Sequence, residues 1–431
     1  MRVSRGGTRP AVASVVLALA SAGTVPAQLD DPFPGARAIP AGPFVLYPIV
    51  STDLEHTDNL FYNTSNPVAA TVFRVTPGIL ARLPMAQSVF NVGYALQYKT
   101  YEGAAAELES IEDNVSHFFR ADGTFQFGSG FTVAFSEDFE KGVLDTQNFD
   151  PGSEEVRFLG DKFTRNLLEV DVGHGRGGRR VGFSAGLARV DFEEQQRQTS
   201  LFDTRGAFVR AYGESRRSAW RILFGEMVVS TTDLSRVRKF PTGDPDDPFV
   251  EIPDDREQDG VEVAGGVRMV LSPGSYLQAR IAYTDERYLT KGGDLSSENR
   301  DSTYRGVVGS ATYSRSIPGR PRLAVRALRD VYPSIFGDND YFISNRLSVL
   351  MESPTRLRLR IGGQVKYYLN DYPQSVPRRE DDTVEGRVWL GYRLGSGLEW
   401  GVYARHTSRT SSLPLLGYDA TTYGVLLQMG G

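Results

Sequence analysis

Thr355-Arg356-Leu357-Arg358-Leu359-Arg360-Ile361-Gly362-Gly363-Gln364-Val365-Lys366-Tyr367-Tyr368-Leu369 alternates apolar and polar side chains without a break. Leu357, Leu359, Ile361, Gly363, Val365, Tyr367 and Leu369 fall on one face, and Arg356, Arg358, Arg360, Gly362, Gln364, Lys366 and Tyr368 on the other. A period of two is the mark of a β-strand, because successive side chains leave opposite faces of the pleat. The chemistry of the two faces narrows the reading. A long arginine face opposite an unbroken apolar face suits a strand with lipid on one side and a watery lumen on the other.

The same alternation recurs along the chain. It predicts about eighteen strands, from Phe44–His56 and Ala69–Leu83, through Ser218–Thr231, Gln258–Leu271, Pro321–Val331 and Asp340–Met351, to Tyr418–Gln428. Short connections such as Gly128-Ser129-Gly130, Arg176–Arg180 and Ser272-Pro273-Gly274 alternate with long polar ones such as Thr57–Val68, Leu144–Lys162, Thr232–Glu257 and Tyr332–Asn339. This is the periplasmic-turn and extracellular-loop asymmetry of outer-membrane barrels, and an even strand number puts both ends of the chain on the periplasmic side. The expected fold is all-β: an antiparallel transmembrane β-barrel with short periplasmic turns and long extracellular loops. Outward positions through mid-strand are apolar or aromatic, as in Phe90, Val92, Tyr94, Leu96 and Tyr98, or Val261, Val263, Val267, Met269 and Leu271. Tyr283, Tyr288, Tyr341, Tyr367, Tyr392 and Tyr418 lie toward strand ends, as an interfacial girdle requires.

The chain of 431 residues has no cysteine, which excludes disulfides and thiolate chemistry, and its net charge of -5 argues against nucleic acid as a partner. Six of the 48 basic residues are lysine and the rest arginine. No internal stretch reaches the roughly 20 apolar residues of a membrane helix. Residues 1–27 read as a secretory signal peptide, with Arg2, Arg5 and Arg9 before an apolar run from Ala11 to Ala22 and small residues at Val25-Pro26-Ala27. Residues 28–43, rich in Pro, Gly and Asp, read as a periplasmic lead-in without regular structure, and 44–431 as the barrel.

Candidate lumen-lining residues follow from strand parity: Arg120, Arg165, Arg210, Arg221, Arg268, Arg280, Arg326, Arg346, Arg358, Arg360, Lys366, Arg387, Arg393 and Arg405, with Asp122, Glu169, Asp171, Glu262, Glu385 and Glu399 on the same faces. Two readings stand. One is a positive field that favours anionic solutes or acidic sugar polymers. The other is structural: long side chains fill the interior and pair with acids across strands. The acidic run Gly243–Asp255 lacks the spacing of an EF-hand, and reads as a solvated extracellular loop that either stays outside or folds inward as a constriction. Gly173-His174-Gly175-Arg176-Gly177-Gly178 matches GxGxxG literally, but a strand follows it where that motif needs a helix, so it is read as a hairpin turn. His56, His117, His174 and His406 have no nucleophile motif nearby, and neither catalysis nor a metal or cofactor is expected.

Leu46-Tyr47-Pro48, Asp58-Asn59-Leu60 and Thr76-Pro77-Gly78 at one end, with Tyr403-Ala404-Arg405-His406-Thr407-Ser408, Gly417-Tyr418-Asp419 and Tyr423-Gly424-Val425 at the other, resemble the opening and closing patterns of the type 2 β-barrel porins. The last residues, Gln428-Met429-Gly430-Gly431, depart from the terminal aromatic common in such barrels. The resemblance implies an outer-membrane exit for secreted exopolysaccharide. Its implied partners are outer-membrane lipid, lipopolysaccharide and a periplasmic polysaccharide-export component. The alternatives are a general or anion-preferring diffusion porin for small hydrophilic solutes, and a closed structural or adhesive barrel. An exporter calls for a wide lumen without a constricting loop, and a diffusion porin for an inward-folded one.

Overall fold

A computed structural model describes residues 38–62, 64–103, 114–128, 130–143, 162–192, 202–241, 249–292, 300–334, 339–354, 358–395, 397–413 and 416–430. The segment read as a signal peptide lies outside them. The described residues form strands β1 (Ile39–Ala41), β2 (Phe44–Thr57), β3 (Ala70–Pro84), β4 (Val89–Glu102), β5 (Asn114–Phe127), β6 (Phe131–Val143), β7 (Lys162–Arg176), β8 (Arg179–Phe192), β9 (Asp203–Ser218) and β10 (Arg221–Pro241). The rest are β11 (Phe249–Ser272), β12 (Ser275–Gly292), β13 (Arg300–Arg315), β14 (Arg322–Pro333), β15 (Tyr341–Glu352), β16 (Leu359–Tyr372), β17 (Arg379–Leu394), β18 (Leu398–Ser411) and β19 (Tyr418–Gly430).

Each strand from β2 onward pairs antiparallel with the next, and β19 pairs with β2 from Thr422↔Thr57 to Gly430↔Ile49. The result is a closed barrel of eighteen strands. Closure leaves no sheet edge, the condition for β-structure in a membrane. β1 corrects the reading of the lead-in as irregular: Ile39–Ala41 folds back on Leu46–Phe44 beyond the end of β19. Thr76-Pro77 interrupts the β3–β4 ladder, which runs to Val75↔Tyr98 and resumes at Gly78↔Ala95. Proline has no N–H to give to the ladder. The GxGxxG stretch is a hairpin turn: Gly177 and Gly178, at φ +60° and +80°, join β7 to β8, the geometry of the two-residue turns that favour glycine.

Several strands run further at the extracellular end than apolar alternation indicates. The largest correction is Thr232–Glu257. It is not a loop over its length but a hairpin, with β10 and β11 paired continuously from Arg221↔Met269 to Pro241↔Phe249. Only its tip, 242–248, lies outside the described residues. The strand that opens with Thr355 begins at Leu359, and 355–357 likewise lie outside the description.

The outer wall carries the apolar belt. On β17 the outward Val384, Val388, Leu390 and Leu394 are exposed, and on β16 so are Leu359, Ile361, Val365 and Tyr367. Exposed apolar surface on this scale is untenable in water and is satisfied by lipid. The chain is therefore an outer-membrane β-barrel. No helix among the described residues is long and apolar enough to cross a membrane. Tyr283 and Tyr367 are exposed on the outer face, and Tyr392 shares that face by register. The girdle is corrected at three places. Tyr288 and Tyr418 are buried on the inner face, and Tyr341 stacks on Tyr288 with ring centroids 5.2 Å apart.

Candidate functional site

Register alternation places thirteen of the fourteen candidate basic residues on the inner face, and most of them meet an acid there. Arg120 lies 3.4 Å from Asp122 and 3.7 Å from Asp138. Arg165 lies 2.7 Å from Glu140. Arg210 approaches Glu169 at 3.5 Å, Arg268 meets Glu214 at 3.0 Å, and Arg280 bridges Glu226 at 2.7 Å and Glu262. Arg360 joins Glu352 at 2.7 Å and Glu399 at 3.0 Å, Arg393 reaches Glu399 at 3.4 Å, and Lys366 reaches Glu385 at 2.9 Å. Arg346 lies over the rings of Tyr332 (4.4 Å) and Tyr368 (5.9 Å), and Arg387 over Tyr403 (4.9 Å). Arg326 is exposed to the lumen, and Arg405 is half-buried on the inner face of β18. One placement is corrected. Arg221 is exposed on the outer face at the start of β10, paired with the outward Met269. Arg358 precedes β16, and its carbonyl accepts a hydrogen bond from the Arg393 N–H at 2.8 Å, which continues the register and keeps it on the side of Arg393.

The acids that pair with these arginines are more numerous than the sequence reading found. Asp53, Glu55, Asp138, Glu140, Glu214, Glu226, Glu286, Asp330, Glu352 and Asp381 all share the inner face. Parity applied to acids as strictly as to arginines would have located them. Their effect is to neutralise the arginines locally, so the interior is a lattice of ion pairs more than a uniform positive field.

The two ends of the lumen differ. Toward the short turns, inner-face side chains such as Arg322 and Arg326 are exposed. Toward the long connections, inner-face charges are almost fully covered: Arg74 is 1% exposed, Lys99 0%, Glu262 1% and Asp381 0%. Two inward-folded segments do the covering. The β13–β14 ladder is short, running only from Gly309↔Arg329 to Arg315↔Leu323. Beyond it the ends of β14 and β15 turn into the barrel. Val331, Tyr341 and Ile343 stand on the outer side of their strands by register, yet they cluster with the inner-face residues Ala264, Ala282, Tyr288, Tyr304 and Val308 of β11 to β13. Tyr341 contacts Tyr288 and, at 5.5 Å, Tyr304. Arg256 of β11 donates to the carbonyl oxygens of Ser334 and, at 3.4 Å, Asn339. On the other side of the hairpin Tyr332, Phe342 and Tyr372 stack in a row at 5.4 and 5.2 Å, and Arg379 lies 3.9 Å over Tyr372.

The second inward segment follows β2. Leu60, fully buried, packs on Val68, Ala70 and Val72. Tyr62 sits 4.9 Å from Tyr418 and shares a cluster with Phe163, Val190 and Phe192 of β7 and β8. Asp58 and Asn59 secure its base, since Asp58 accepts from the Thr421 N–H at 2.7 Å and Asn59 Nδ2 donates to the Asp419 carbonyl at 2.8 Å. The Asp-Asn-Leu and Tyr-Asp stretches singled out in sequence thus meet where the barrel closes. None of the histidines lies in the lumen. His56, His117 and His406 are on the outer face, bonded to Thr71 (3.0 Å), Tyr94 (2.8 Å) and Thr421 (3.1 Å), and His174 is exposed there near a turn. Among the described residues no three His, Asp or Glu side chains group to hold a metal.

No family model matches the chain and no curated sequence matches it. Its folded shape is similar to solved outer-membrane proteins. OpdK of Pseudomonas aeruginosa, crystallised with vanillate, is 12% identical, with 90% of this chain and 99% of that one covered and a TM-score of 0.44. OccAB3 of Acinetobacter baumannii is 11% identical over 91% and 100%, at 0.45. FyuA of Yersinia pestis, a ferric yersiniabactin uptake receptor, is 8% identical over 90% and 80%, at 0.46. At such identities and scores the likeness is one of general architecture, and the barrel assignment rests on the chain's own closed ladder. That ladder and the apolar wall define a porin-type β-barrel of the outer membrane.

Proposed function

We propose that this barrel is a diffusion channel for small hydrophilic solutes, narrowed in its extracellular half. The observation that carries the reading is the inward-folded β14–β15 end, held by Arg256 and by Tyr341. A polysaccharide exit needs a lumen that passes a chain of sugar rings, and both inward segments occupy the space such a chain would thread. Paired charges on the wall suit hydrated solutes, since they offer polar contacts without a strong net field. The reading is tested with purified, refolded protein in planar bilayers and in sugar-loaded liposomes. Small conductance steps, and swelling with monosaccharides but not with oligosaccharides, are expected. Large steps together with oligosaccharide passage would return the export reading to first place.

A further inference from the structure

At the short-turn end the wall formed by β5 to β12 holds a cavity of about 710 Å³ with an unbalanced charge. Four inner-face arginines line it, Arg180, Arg210, Arg216 and Arg268, against three carboxylates, Asp171, Glu214 and Glu226, while Arg176 and Arg179 stand at its rim on the outer face by register. The carboxylates are already engaged. Asp171 accepts from Arg180 at 3.0 Å and lies 3.8 Å from Arg210. Glu214 faces Arg268 at 3.0 Å, and Glu226 is bound at 2.7 Å by Arg280, which does not line the cavity. Four minus three leaves one positive charge on the inner face. The Arg216 N–H donates to the Gly178 carbonyl at 2.7 Å, which ties the end of β9 to the β7–β8 turn.

The deeper arginines are held in place. Tyr212 lies flat over its cross-strand partner Gly182, where a Cβ would come within 2.3 Å of the phenol ring. Its hydroxyl donates to Asp171 at 3.0 Å, and Arg180 and Arg210 stack over its ring at 5.5 and 5.4 Å. Phe224 lies over Gly266 in the same way and carries Arg268 at 4.9 Å. Guanidinium groups fixed on aromatic planes present their N–H donors in a set direction, which suits an oxyanion. At the mouth the exposed indole of Trp220 adds an apolar plane.

We propose that this cavity is a binding site for a small organic anion, a carboxylate or phosphate group carried on a ring, entered from the periplasmic side. The arginines grip the oxyanion while Trp220 covers the ring. The site stands apart from conduction, because binding is measured on the protein in detergent whether or not the lumen passes ions.

The test is calorimetric titration of the refolded barrel in a neutral detergent with glucuronate, glucose 6-phosphate and glucose. Both anions are expected to bind saturably and glucose not at all. Arg210→Gln and Arg216→Gln should each weaken anion binding at least tenfold, while Arg326→Gln, on β14 outside the cavity, should leave it unchanged. Heat-modifiable migration on a gel checks folding. If Arg210→Gln misfolds, Arg216→Gln, exposed at a turn, carries the comparison. Equal binding of glucose, no saturable heat with either anion, or binding unchanged in the folded arginine variants would overturn the proposal. So would saturation by phosphatidylglycerol micelles alone.

Discussion

Replacing Tyr341 by alanine should loosen the inward-folded end of β14 and β15. The side chain makes two ring contacts with the inner wall, to Tyr288 and Tyr304. Each such pair contributes about 0.5–1.5 kcal/mol beyond area burial, so the substitution removes roughly 1–3 kcal/mol of docking energy. At about 1.4 kcal/mol per tenfold, the ratio of docked to undocked hairpin falls by a factor of roughly 5 to 150. The wall itself should survive, because β14 stays paired with β15 from Arg322↔Glu352 to Pro333↔Tyr341 through backbone bonds that the side chain does not supply. Single-channel recording in planar bilayers reads the effect: larger or more frequent open steps than wild type. Tyr423→Ala, on the exposed outer face, is the control. A step histogram identical to wild type in a variant that folds would refute the idea that this hairpin narrows the lumen.

Other outcomes follow from the buried charge lattice. Glu140→Leu removes the carboxylate 2.7 Å from Arg165 at a site where both side chains are 3% exposed, and should cost about 3–5 kcal/mol, read as a lower urea midpoint; adding Arg165→Met should recover most of it. Gly182→Leu drives a side chain into the Tyr212 ring and should cost about 1–3 kcal/mol as overpacking while abolishing the anion heats described above. Arg360→Glu places a third carboxylate beside Glu352 and Glu399, so reversal potentials in a salt gradient should move toward cation preference; an unmoved potential in an open channel would show that the solute path does not pass this cluster.

How far sequence reading carries here depends on what each residue can report. Alternation fixes which way a strand residue points wherever the two faces differ in polarity, as they do from Leu359 to Leu369. It fails at Arg221 because Ile222, Phe224 and Val228 on one face are as apolar as Leu223, Met227 and Val229 on the other. It also fails above the membrane, where the ladder continues but its outer face turns polar. The arms of the 232–257 hairpin read as loop for that reason, although each residue from Thr232 to Pro241 has a partner on β11. The inward fold was illegible on different grounds. Val331, Tyr341 and Ile343 are apolar residues in outward positions, which is what a lipid-facing residue looks like. Only the tertiary arrangement shows that they meet an inner wall instead. Of the cavity arginines, strand parity picks out only Arg210 and Arg268; Arg180 and Arg216 lie close to short turns, and their grouping with the others depends on which turns lie side by side.

The β13–β14 seam also bears on why the described arms of the β10–β11 hairpin stay in the sheet. A segment can turn inward only where the wall releases it. β10 and β11 are bonded to each other up to Pro241↔Phe249, and β11 is bonded to β12 as far as Asp254↔Gly292. That ribbon is bonded on both sides of β11, and bending it inward would break many backbone hydrogen bonds at once, each worth about 1 kcal/mol net. The end of β14 has no such restraint, because its ladder to β13 stops at Gly309↔Arg329. Lumen width should therefore be insensitive to the hairpin tip. Replacing residues 242–248 with an Asn-Gly turn, which closes a two-residue hairpin, should leave conductance and liposome swelling at wild-type values. A widened channel after that replacement would mean that the acidic tip reaches the lumen and that the seam does not select the constricting segment.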